Sequence, residues 1–590
     1  RTPRTPREET LCTLFADVLG LDTVGIDDSF FELGGDSIVS IQLVSRARSA
    51  GLVFTPRDVF QQRTVEALAT VAVSSADSVD SAPHDPDAGI GDLPATPIIH
   101  WLAEAGGDTD GFYQAMVVRT PATATLKTLT TTLQALLDHH DVLRLRTTRI
   151  DGRPWNLTVQ PRGAVDAARI LRHVDTTGVH GDELRGLMAK ETKPAQDALA
   201  PDDGVVLQAV WFDGGPDTEG RLLLMAHHLV VDGVSWRILL PDLATAHDAA
   251  EAGREPDFGR AGTSYRAWAR GLVEAASTEA RTAELDVWTA MLGTEDPQLG
   301  NRPLDPHRDT AATSRALSVE LPAHITEPLL STVPATFHAG VNDILLTGFA
   351  LAVADWRRRR GQDTTGTLID LEGHGREELV PGADVSRTVG WFTSLYPVHL
   401  SPGIAGTDWE EVWAGGPAVG NAVKSIKEQL RALPDNGAGY GLLRRLNPDT
   451  AATLAAFPAP QISFNYLGRF ELSEQRSGHA ATAAWSPAPE ADSGVSGGSD
   501  SGMRLRYAFV LSAAAIDGPD GPTLSADWSW PRELIAEEDV RDLAETWFRA
   551  LEAIVTHAEG PGAGGHTASD FSLGGLSQDE IDEFEDDLRL

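Results

Sequence analysis

Residues 221–233 of the chain read Arg-Leu-Leu-Leu-Met-Ala-His-His-Leu-Val-Val-Asp-Gly. The mostly apolar residues before the histidines predict a buried β-strand. His227 and His228 follow directly, and Asp232 with Gly233 predicts a turn that reverses the chain. Turns at strand ends often present side chains into clefts. The segment therefore predicts a strand that delivers a histidine pair to a functional site, although an isolated histidine is more often a core residue.

Helical and strand-like patterns alternate on both sides of this segment. Strands are predicted at Ala115–Arg119, Val205–Trp211, Arg221–Ala226, Thr367–Leu371, Leu395–Leu400 and Gln461–Tyr466. Helices are predicted at Leu126–His139 and Trp236–Glu251. A second histidine pair, His139-His140, ends a helix without a turn motif, and we interpret it as structural. Residues 484–502, including Ser493–Gly502, have the composition of a low-complexity loop. The alternation indicates an α/β domain.

Residues 7–72 instead predict a compact helical unit. Apolar residues repeat at helical spacing up to Leu19, and Gly20 is placed to end that helix. Ser37 follows a glycine pair and opens a second amphipathic helix. Three interpretations fit this serine: a helix cap, a hydrolase nucleophile, or an attachment site for a phosphodiester group. The nucleophile elbow needs glycine two residues later, where this chain has Val39.

Composition argues against several classes of function. The 590 residues carry a formal net charge of −38, which disfavours sequence-independent binding to nucleic acid. The single cysteine, Cys12, cannot form an internal disulfide or a cysteine zinc cluster. No apolar stretch reaches the roughly 18 residues of a membrane span, and residues 1–6 lack the apolar core of a signal peptide. We expect a cytoplasmic protein that binds neither nucleic acid nor membranes.

The serine gains a specific meaning from the residues before it. Residues 28–37 read Asp-Ser-Phe-Phe-Glu-Leu-Gly-Gly-Asp-Ser, and the helical unit that holds them resembles the peptidyl carrier domains of nonribosomal peptide synthetases. The resemblance implies a small all-α domain of four helices. It also implies that Ser37 carries a covalent 4′-phosphopantetheine, installed by a separate phosphopantetheinyl transferase.

The histidine segment resembles the His-His-x-x-x-Asp-Gly signature of the condensation superfamily. Domains of that superfamily consist of two chloramphenicol-acetyltransferase-like lobes that flank a tunnel. The resemblance implies that His228 faces the tunnel, while His227, Asp232 and Gly233 support the site structurally. In the family the aspartate is held through an arginine, and Arg144 is the matching candidate in this sequence.

Further motifs favour epimerization domains over condensation domains within this superfamily. Val-Ser-Trp at 234–236 is similar to epimerization domains, whereas condensation domains usually have Gly-Trp-Ser after the aspartate. Four later segments resemble epimerization motifs in the family's order: Asp370–Glu377, Arg387–Thr393, Asn436–Gly441 and Phe464–Gly468. The opening motif departs from the family's Pro-Ile-Gln-x-Trp pattern, because residues 97–101 read Pro-Ile-Ile-His-Trp. Pro241 also replaces an expected acidic residue.

Inversion of an α-carbon needs one proton-transfer group on each face of that carbon. His228, which titrates near neutrality, and Glu372, whose pKa burial can raise, are the predicted pair. A donor must also stabilise the enolate oxygen of the thioester. Asn465 and Tyr466 are candidates, although a core tyrosine beside an amide is nearly as common. The sequence implies no metal, because it contains no His-Glu-x-x-His and no cysteine ligand set. It implies no nicotinamide, because Asn436–Gly441 lacks the Gly-x-Gly-x-x-Gly spacing, and no pyridoxal, because none of the five lysines lies in a recognised motif.

The predicted organisation has five parts. Residues 1–73 form the carrier domain and residues 74–91 a linker, followed by an epimerization domain with lobes at 92–270 and 271–570. Residues 571–590 form an acidic tail, either a solvated end or a docking segment. The resemblance implies an upstream adenylation domain and a downstream D-selective condensation domain as partners. Peptide-bond formation, or an inactive docking module, are the alternative functions.

Overall fold

The computed structural model describes residues 1–19, 21–31, 33–35, 37–74, 87–149, 155–259, 262–362, 364–471, 484–490, 495–571, 578 and 580–581. The predicted helix end at Gly20 and most of the predicted linker and acidic tail lie outside these residues.

The N-terminal part is helical, as predicted. Its helices are α1 (Pro6–Leu19), α2 (Ser37–Ser49), α3 (Pro56–Gln62) and α4 (Val65–Val71), with a two-stranded ribbon of β1 (Leu52–Val53) and β2 (Val73–Ser74). Phe15 and Phe30 lie in the centre of the core with their ring centroids 5.0 Å apart. Gly34 has a left-handed φ of +95°, and two residues after Gly35 the chain enters α2 at Ser37. The predicted serine therefore opens a helix directly after a glycine turn.

The next part of the chain alternates strands and helices. Its elements are β3 (Gly91–Leu93), α5 (Pro97–Ala105), β4 (Tyr113–Thr120), α6 (Leu126–His139), β5 (Leu145–Thr148), β6 (Asn156–Val159), α7 (Ala167–Ile170), β7 (Leu171–Asp175), α8 (Gly181–Asp197), β8 (Leu207–Asp213), β9 (Gly220–His227), α9 (Gly233–Glu251) and α10 (Tyr265–Ala276). The predicted strands and both predicted helices of this region are present, with ends that move by a few residues at most.

The last part has a larger sheet and more helices. Its elements are α11 (Glu279–Thr282), α12 (Leu285–Leu292), β10 (Ser314–Leu321), α13 (Ala323–Leu330), α14 (Thr332–Phe337), α15 (Val341–Arg359), β11 (Thr367–Gly373), β12 (Ser394–Leu400), α16 (Trp409–Trp413), α17 (Pro417–Arg431), α18 (Gly439–Arg445), α19 (Ala451–Ala455), β13 (Ile462–Glu471), β14 (Val495–Gly498), β15 (Phe509–Gly518), β16 (Gly521–Pro531) and α20 (Glu537–Ala558).

Two sheets organise the large part of the chain. The first has the order β14-β4-β9-β8-β7, and the second has the order β10-β16-β15-β13-β11-β12. A third, three-stranded sheet has the order β3-β6-β5. Helices α15, α17 and α20 cover one face of the second sheet and share its apolar core. The other face of β11 and β13 carries four polar residues, Asp370, Glu372, Ser463 and Asn465, and is therefore the candidate location of a site.

The prediction that Ser493–Gly502 is a loop is wrong over β14. This strand comes from the last part of the chain yet pairs antiparallel with β4 of the first sheet, from Val495 opposite Met116 to Gly498 opposite Tyr113. Its Ser- and Gly-rich sequence carries no apolar alternation. Gly498 lies against the Tyr113 ring, where a Cβ would be 2.7 Å from a ring carbon.

Among the described residues, no single helix is long and apolar enough to cross a membrane. Ala323–Phe337 and Val341–Arg359 meet that criterion only as a pair, and the two helices are bent by 99°. Helix α15 is buried over most of its length in the core of the second sheet.

Candidate active site

The histidine segment forms the expected strand end. Strand β9 ends at His227, whose buried ring uses both nitrogens: Nε2 contacts the Thr109 carbonyl at 2.8 Å and Nδ1 accepts the Leu229 N–H at 3.1 Å. Since Nδ1 accepts, Nε2 donates, and the ring is neutral. Burial lowers the pKa of His227 to about 3. These contacts fit the structural role predicted for His227.

Asp232 stabilises the loop after the histidines through hydrogen bonds and an ion pair. Its carboxylate caps α9 by accepting the Ser235 N–H at 2.7 Å, and it also accepts the Phe392 N–H at 3.1 Å. Gly233 is the first residue of that helix. Asp232 is buried, and the guanidinium of Arg376 lies 3.3 Å from each of its carboxylate oxygens. A buried carboxylate needs such a partner.

The prediction that Arg144 supports Asp232 is therefore wrong, since Arg376 does so. Arg144 is buried just after the end of α6, where it donates to the carbonyls of Asp138 and Gln160 at 3.0 Å and lies 3.5 Å from Asp141. Arg144, which follows α6 in the sequence, thus hydrogen-bonds a carbonyl in the last turn of that helix. The arginine that reaches Asp232 comes from the loop after β11, a contact that local pattern cannot show.

His228 lies at the start of the loop that Asp232 stabilises, and its side chain is half-buried among aromatic rings. Its ring stacks on Phe112, with centroids 4.8 Å apart, and meets Trp391 at 4.4 Å. Its Nε2 lies 3.0 Å from the Gln114 side-chain nitrogen. Burial lowers the pKa of His228 to about 4, so the imidazole is neutral at pH 7 and available as a base.

Glu372 is on β11, the strand that precedes the Arg376 loop. Asn465 of β13 donates to its Oε2 at 2.8 Å, because both residues lie on the face of the sheet opposite α15 and α20. Burial, and then the charge of Asp370, raise the pKa of Glu372 to about 7. The carboxyl is therefore substantially protonated at neutral pH and available as an acid.

Asp370 is a second carboxyl on the same face of β11 that the sequence did not single out as catalytic. Tyr507 donates to it at 2.8 Å, and burial raises its pKa to about 6. It lines a cavity together with Trp101, Tyr440 and Arg506. Alternation on β11 places Asp370 beside Glu372, which is the signal in the sequence that could have identified it.

Tyr466 differs from its neighbour Asn465 in position. The two residues are consecutive on β13, so Tyr466 faces the other side of the sheet, where it packs against the apolar core of β11, β13 and the helices. The structure thus brings Asn465 to Glu372 and places Tyr466 against that core. A direct role of Tyr466 in catalysis stays a prediction.

The loop from Glu372 to Trp391 connects the two halves of the site. Arg376, four residues after Glu372, reaches Asp232, and the guanidinium also lies 3.9 Å from the centroid of the Phe392 ring. Four extended residues span at most about 14 Å. Gly375 has a φ of +66°, and a Cβ there would lie 1.7 Å from the Phe392 carbonyl oxygen, so the turn requires glycine. A short stretch of backbone and one ion pair therefore link the glutamate strand to the histidine loop.

The second histidine pair has a partner that the sequence did not reveal. His139, His140 and Asp242 bring one possible metal-ligand atom each within 4.8 Å of one another. Arg387 contacts Asp242 at 2.6 Å and His140 lies 3.1 Å from it. Because the guanidinium already compensates the carboxylate, the cluster fits a buried polar contact between the end of α6, α9 and the Arg387 loop.

Family models match both the small N-terminal part and the large part of the chain. The family model of the condensation domain matches residues 93–573, and that of the phosphopantetheine attachment site matches residues 9–72. The attachment domain carries a covalent 4′-phosphopantetheine. Ser37 fits such a group, since it opens a 13-residue helix whose N-terminus favours a phosphodiester.

Similar proteins are large peptide synthetases. One of the proteins that make up the linear gramicidin synthase of Brevibacillus parabrevis is 36% identical over 99% of this chain and 7% of its own length. Tyrocidine synthase 1 of the same organism is 29% identical over 98% of this chain and 51% of its own length. The chain thus spans a small part of the first protein and about half of the second.

Solved structures show the same fold. The epimerization domain from the third module of tyrocidine synthetase B is 27% identical, with a TM-score of 0.66, over 81% of this chain and 99% of that chain. The first condensation domain of the CDA synthetase is 16% identical, with a TM-score of 0.54, over 80% of this chain and 97% of that chain. The chain therefore belongs to the condensation-domain family and joins such a domain to a phosphopantetheine-bearing carrier domain of the nonribosomal peptide synthetase type.

Proposed function

We propose that the large domain epimerizes the α-carbon of an L-aminoacyl or peptidyl thioester carried on Ser37, giving a D/L mixture. The observation that carries the proposal is a pair of half-buried groups whose strands are linked through the Arg376–Asp232 contact. Burial moves their pKa values apart, lowering that of His228 to about 4 and raising that of Glu372 to about 7. Groups whose environments push their pKa values apart in this way are suited to act as base and acid.

The proton transfers follow from these states. One group removes the α-proton from one face of the carbon, and the electron pair of the C–H bond delocalises into the thioester carbonyl as an enolate. The other group then gives its proton to the opposite face, and the C–H bond forms again with inverted configuration. His228 and Glu372 together hold one proton before and after the reaction, but the proton has moved from the acid to the base. Proton exchange with water then restores the starting protonation of both groups. Each positioned group contributes roughly 10²–10⁴-fold to the rate.

Asn465 and the cationic form of His228 assist these transfers. Asn465 fixes the Glu372 carboxyl through the 2.8 Å contact, so the acid is aimed rather than free to rotate. When His228 accepts the α-proton it becomes a cation beside the enolate, and its charge stabilises the enolate oxygen. The two-group site thus needs no metal for the charge that develops.

The carrier and its partners complete the proposal. A transferase loads Ser37, an adenylation domain supplies the amino acid, and a D-selective condensation domain uses the product in the cytoplasm. The two sheets with their helices correspond to the two chloramphenicol-acetyltransferase-like lobes, with the substrate between them. The tail at 571–590 is proposed to dock the next protein of the synthetase. A carrier on the same chain raises the effective concentration of substrate.

Exchange of the α-proton tests the proposal. Full-length protein is loaded at Ser37 with a phosphopantetheinyl L-amino acid in deuterated buffer, and deuterium uptake and the D:L ratio are followed with time. We expect uptake with a mixed D:L product in the wild-type protein. Glu372→Gln and His228→Ala should each abolish formation of the D form, because only one face of the α-carbon then keeps its proton-transfer group. Glu320→Gln is the matched control, because it makes the same chemical change at an exposed position of β10 and should leave uptake as in wild type.

The alternatives give different results in the same experiment. No uptake with several side chains and a short peptide, with the pantetheine arm confirmed by mass, would refute the epimerase. Transfer of the loaded group to a second carrier-bound amine would then identify a condensation domain. No reaction of either kind, with tight binding to another synthetase protein, would identify a docking module.

A further inference from the structure

Three side chains form a hydrogen-bonded line that ends on His228. The indole Nε1 of Trp236, on α9, donates to Oε1 of Gln114 at 2.9 Å, and the Gln114 side-chain nitrogen lies 3.0 Å from Nε2 of His228. Gln114 is on β4, directly across the sheet from the end of β9. Trp236 is 1% exposed, so its position is fixed by the core.

The chemistry of the three groups sets the direction of both hydrogen bonds. An indole N–H only donates, so the oxygen of the Gln114 amide must face Trp236. The amide nitrogen then faces His228, and an amide NH₂ also only donates. Nε2 of His228 must therefore be the acceptor, which places the proton of the neutral ring on Nδ1.

The other groups around the ring leave the assignment to the Gln114 contact. Burial is the main influence on the pKa of His228 and lowers it, while the backbone carbonyls of His228 and Val231 act in the opposite direction. Nδ1, on the side of the ring away from Gln114, is buried and makes no hydrogen bond with the described residues, so the Gln114 contact decides the tautomer. Phe112 and Trp391 cover the ring with uncharged surfaces.

We propose that Gln114, held by Trp236, is a positioning residue that fixes His228 as the tautomer with its proton on Nδ1 and keeps Nε2 unprotonated to receive the α-proton. The inference rests on the proposed function for the role of Nε2, but not for the tautomer itself. The Gln114 amide occupies the lone pair at rest, so the substrate must move it aside. The bond to Trp236 then returns the amide to its place after each turnover.

The hydrogen bond to Gln114 also accounts for a tryptophan at position 236. Val-Ser-Trp at 234–236 is the sequence that resembles epimerization domains rather than condensation domains, and the tryptophan is the residue that orients the amide. A site that must hold a histidine as a base for a carbon acid gains from a fixed tautomer, because the wrong tautomer presents an N–H to the substrate.

The test is the protonation of the His228 ring in the full-length holo protein. Histidine labelled with ¹⁵N is incorporated, and the His228 signals are assigned by their loss in His228→Ala. Protonated and bare ring nitrogens have well-separated ¹⁵N shifts and distinct couplings to the ring C–H protons. We expect Nδ1 protonated and Nε2 bare at pH 7. An Nε2–H tautomer in the wild-type protein would overturn the proposal.

Two matched variants separate positioning from simple packing. Gln114→Glu keeps the shape and accepts from Trp236, but its second oxygen accepts from His228, so we expect an Nε2–H ring with a higher pKa and a rate roughly 100-fold lower at pH 7 with little change in KM. Gln114→Met removes the donor without a charge and should give mixed tautomers and a smaller loss. Asp232 and its partner Arg376 are the charged pair beside the loop, and both variants leave them unchanged.

The outcomes also separate this inference from the proposed function. If the wild-type ring has its proton on Nδ1 and the protein shows no α-proton exchange, the epimerase proposal fails alone. If exchange occurs and Gln114→Glu leaves both the ring protonation and the rate as in wild type, Gln114 has no positioning role.

Discussion

The pKa values of His228 and Glu372 predict how the rate of inversion depends on pH. Inversion needs one proton shared by the pair, because one group must accept while the other donates. Glu372, with a pKa of about 7, is about 90% protonated at pH 6, about 50% at pH 7 and about 9% at pH 8. An ordinary glutamate with a pKa of 4.5 would be only about 3% protonated at pH 6. The rate of inversion should therefore fall about tenfold from pH 6 to pH 8.

Exchange of the α-proton should respond differently from inversion. Above pH 7 both His228 and Glu372 are unprotonated, so either can remove the α-proton, pick up deuterium from solvent and return it to the same face. The opposite face lacks a donor. Exchange with retention should thus continue where inversion has fallen, and the ratio of exchange to inversion should rise about tenfold between pH 6 and pH 8. On the acid side, inversion should fall only as His228 protonates, near its pKa of about 4.

The assay is a rapid-quench time course on the loaded full-length protein between pH 5.5 and 8.5, with chiral separation and mass analysis of the released amino acid. Each time point then reports both deuterium content and configuration. Inversion that stays constant or rises from pH 6 to pH 8 would refute the protonation states assigned to the pair. Exchange and inversion that fall together would contradict the return of a solvent deuteron to the same face by either group alone.

Three further changes test contacts around the site. Asp370→Asn removes the like charge that helps to raise the neighbouring glutamate's pKa, so the upper limit of the pH profile should move to lower pH in the same time course. Arg376→Met leaves Asp232 buried without its cation and should lower the free energy of unfolding by about 3–5 kcal/mol in urea titrations, whereas an unchanged midpoint would contradict the pairing. Lys427→Met leaves Asp570 without its cation and should make residues 559–571 sensitive to protease, with wild-type resistance as the opposing result.

The sequence predicted elements whose pattern is local. Leu126–His139 is a helix with the predicted ends, because Thr125 caps it and its apolar residues repeat at helical spacing. The strand before the histidines and the position of Glu372 near a strand end were also predicted. The contact of Asn465 with that glutamate was not predicted, since Asn465 was a candidate donor to the enolate oxygen. These features depend on neighbours within a few residues or on a resemblance that covers whole motifs.

The features that were missed depend on residues far apart in the chain. Arg144 and Arg376 are both buried arginines, and only packing decides that the second, 144 residues from Asp232, makes the ion pair. Gln114 lies 114 residues from His228, and its role is visible only when β4 and β9 are side by side. Strand β14 has no apolar alternation, so its place at the edge of the first sheet follows from backbone pairing alone.

The pairing of β14 with β4 has a consequence for synthesis on the ribosome. The end of β4 at Thr120 leaves the ribosome 375 residues before Val495, which at 5–20 residues per second is about 20–75 s. During that interval one edge of β4 has no partner strand, and an open edge can pair with another nascent chain. We therefore expect polysomes that translate this chain to depend on chaperones that shield the edge of β4 until β14 emerges.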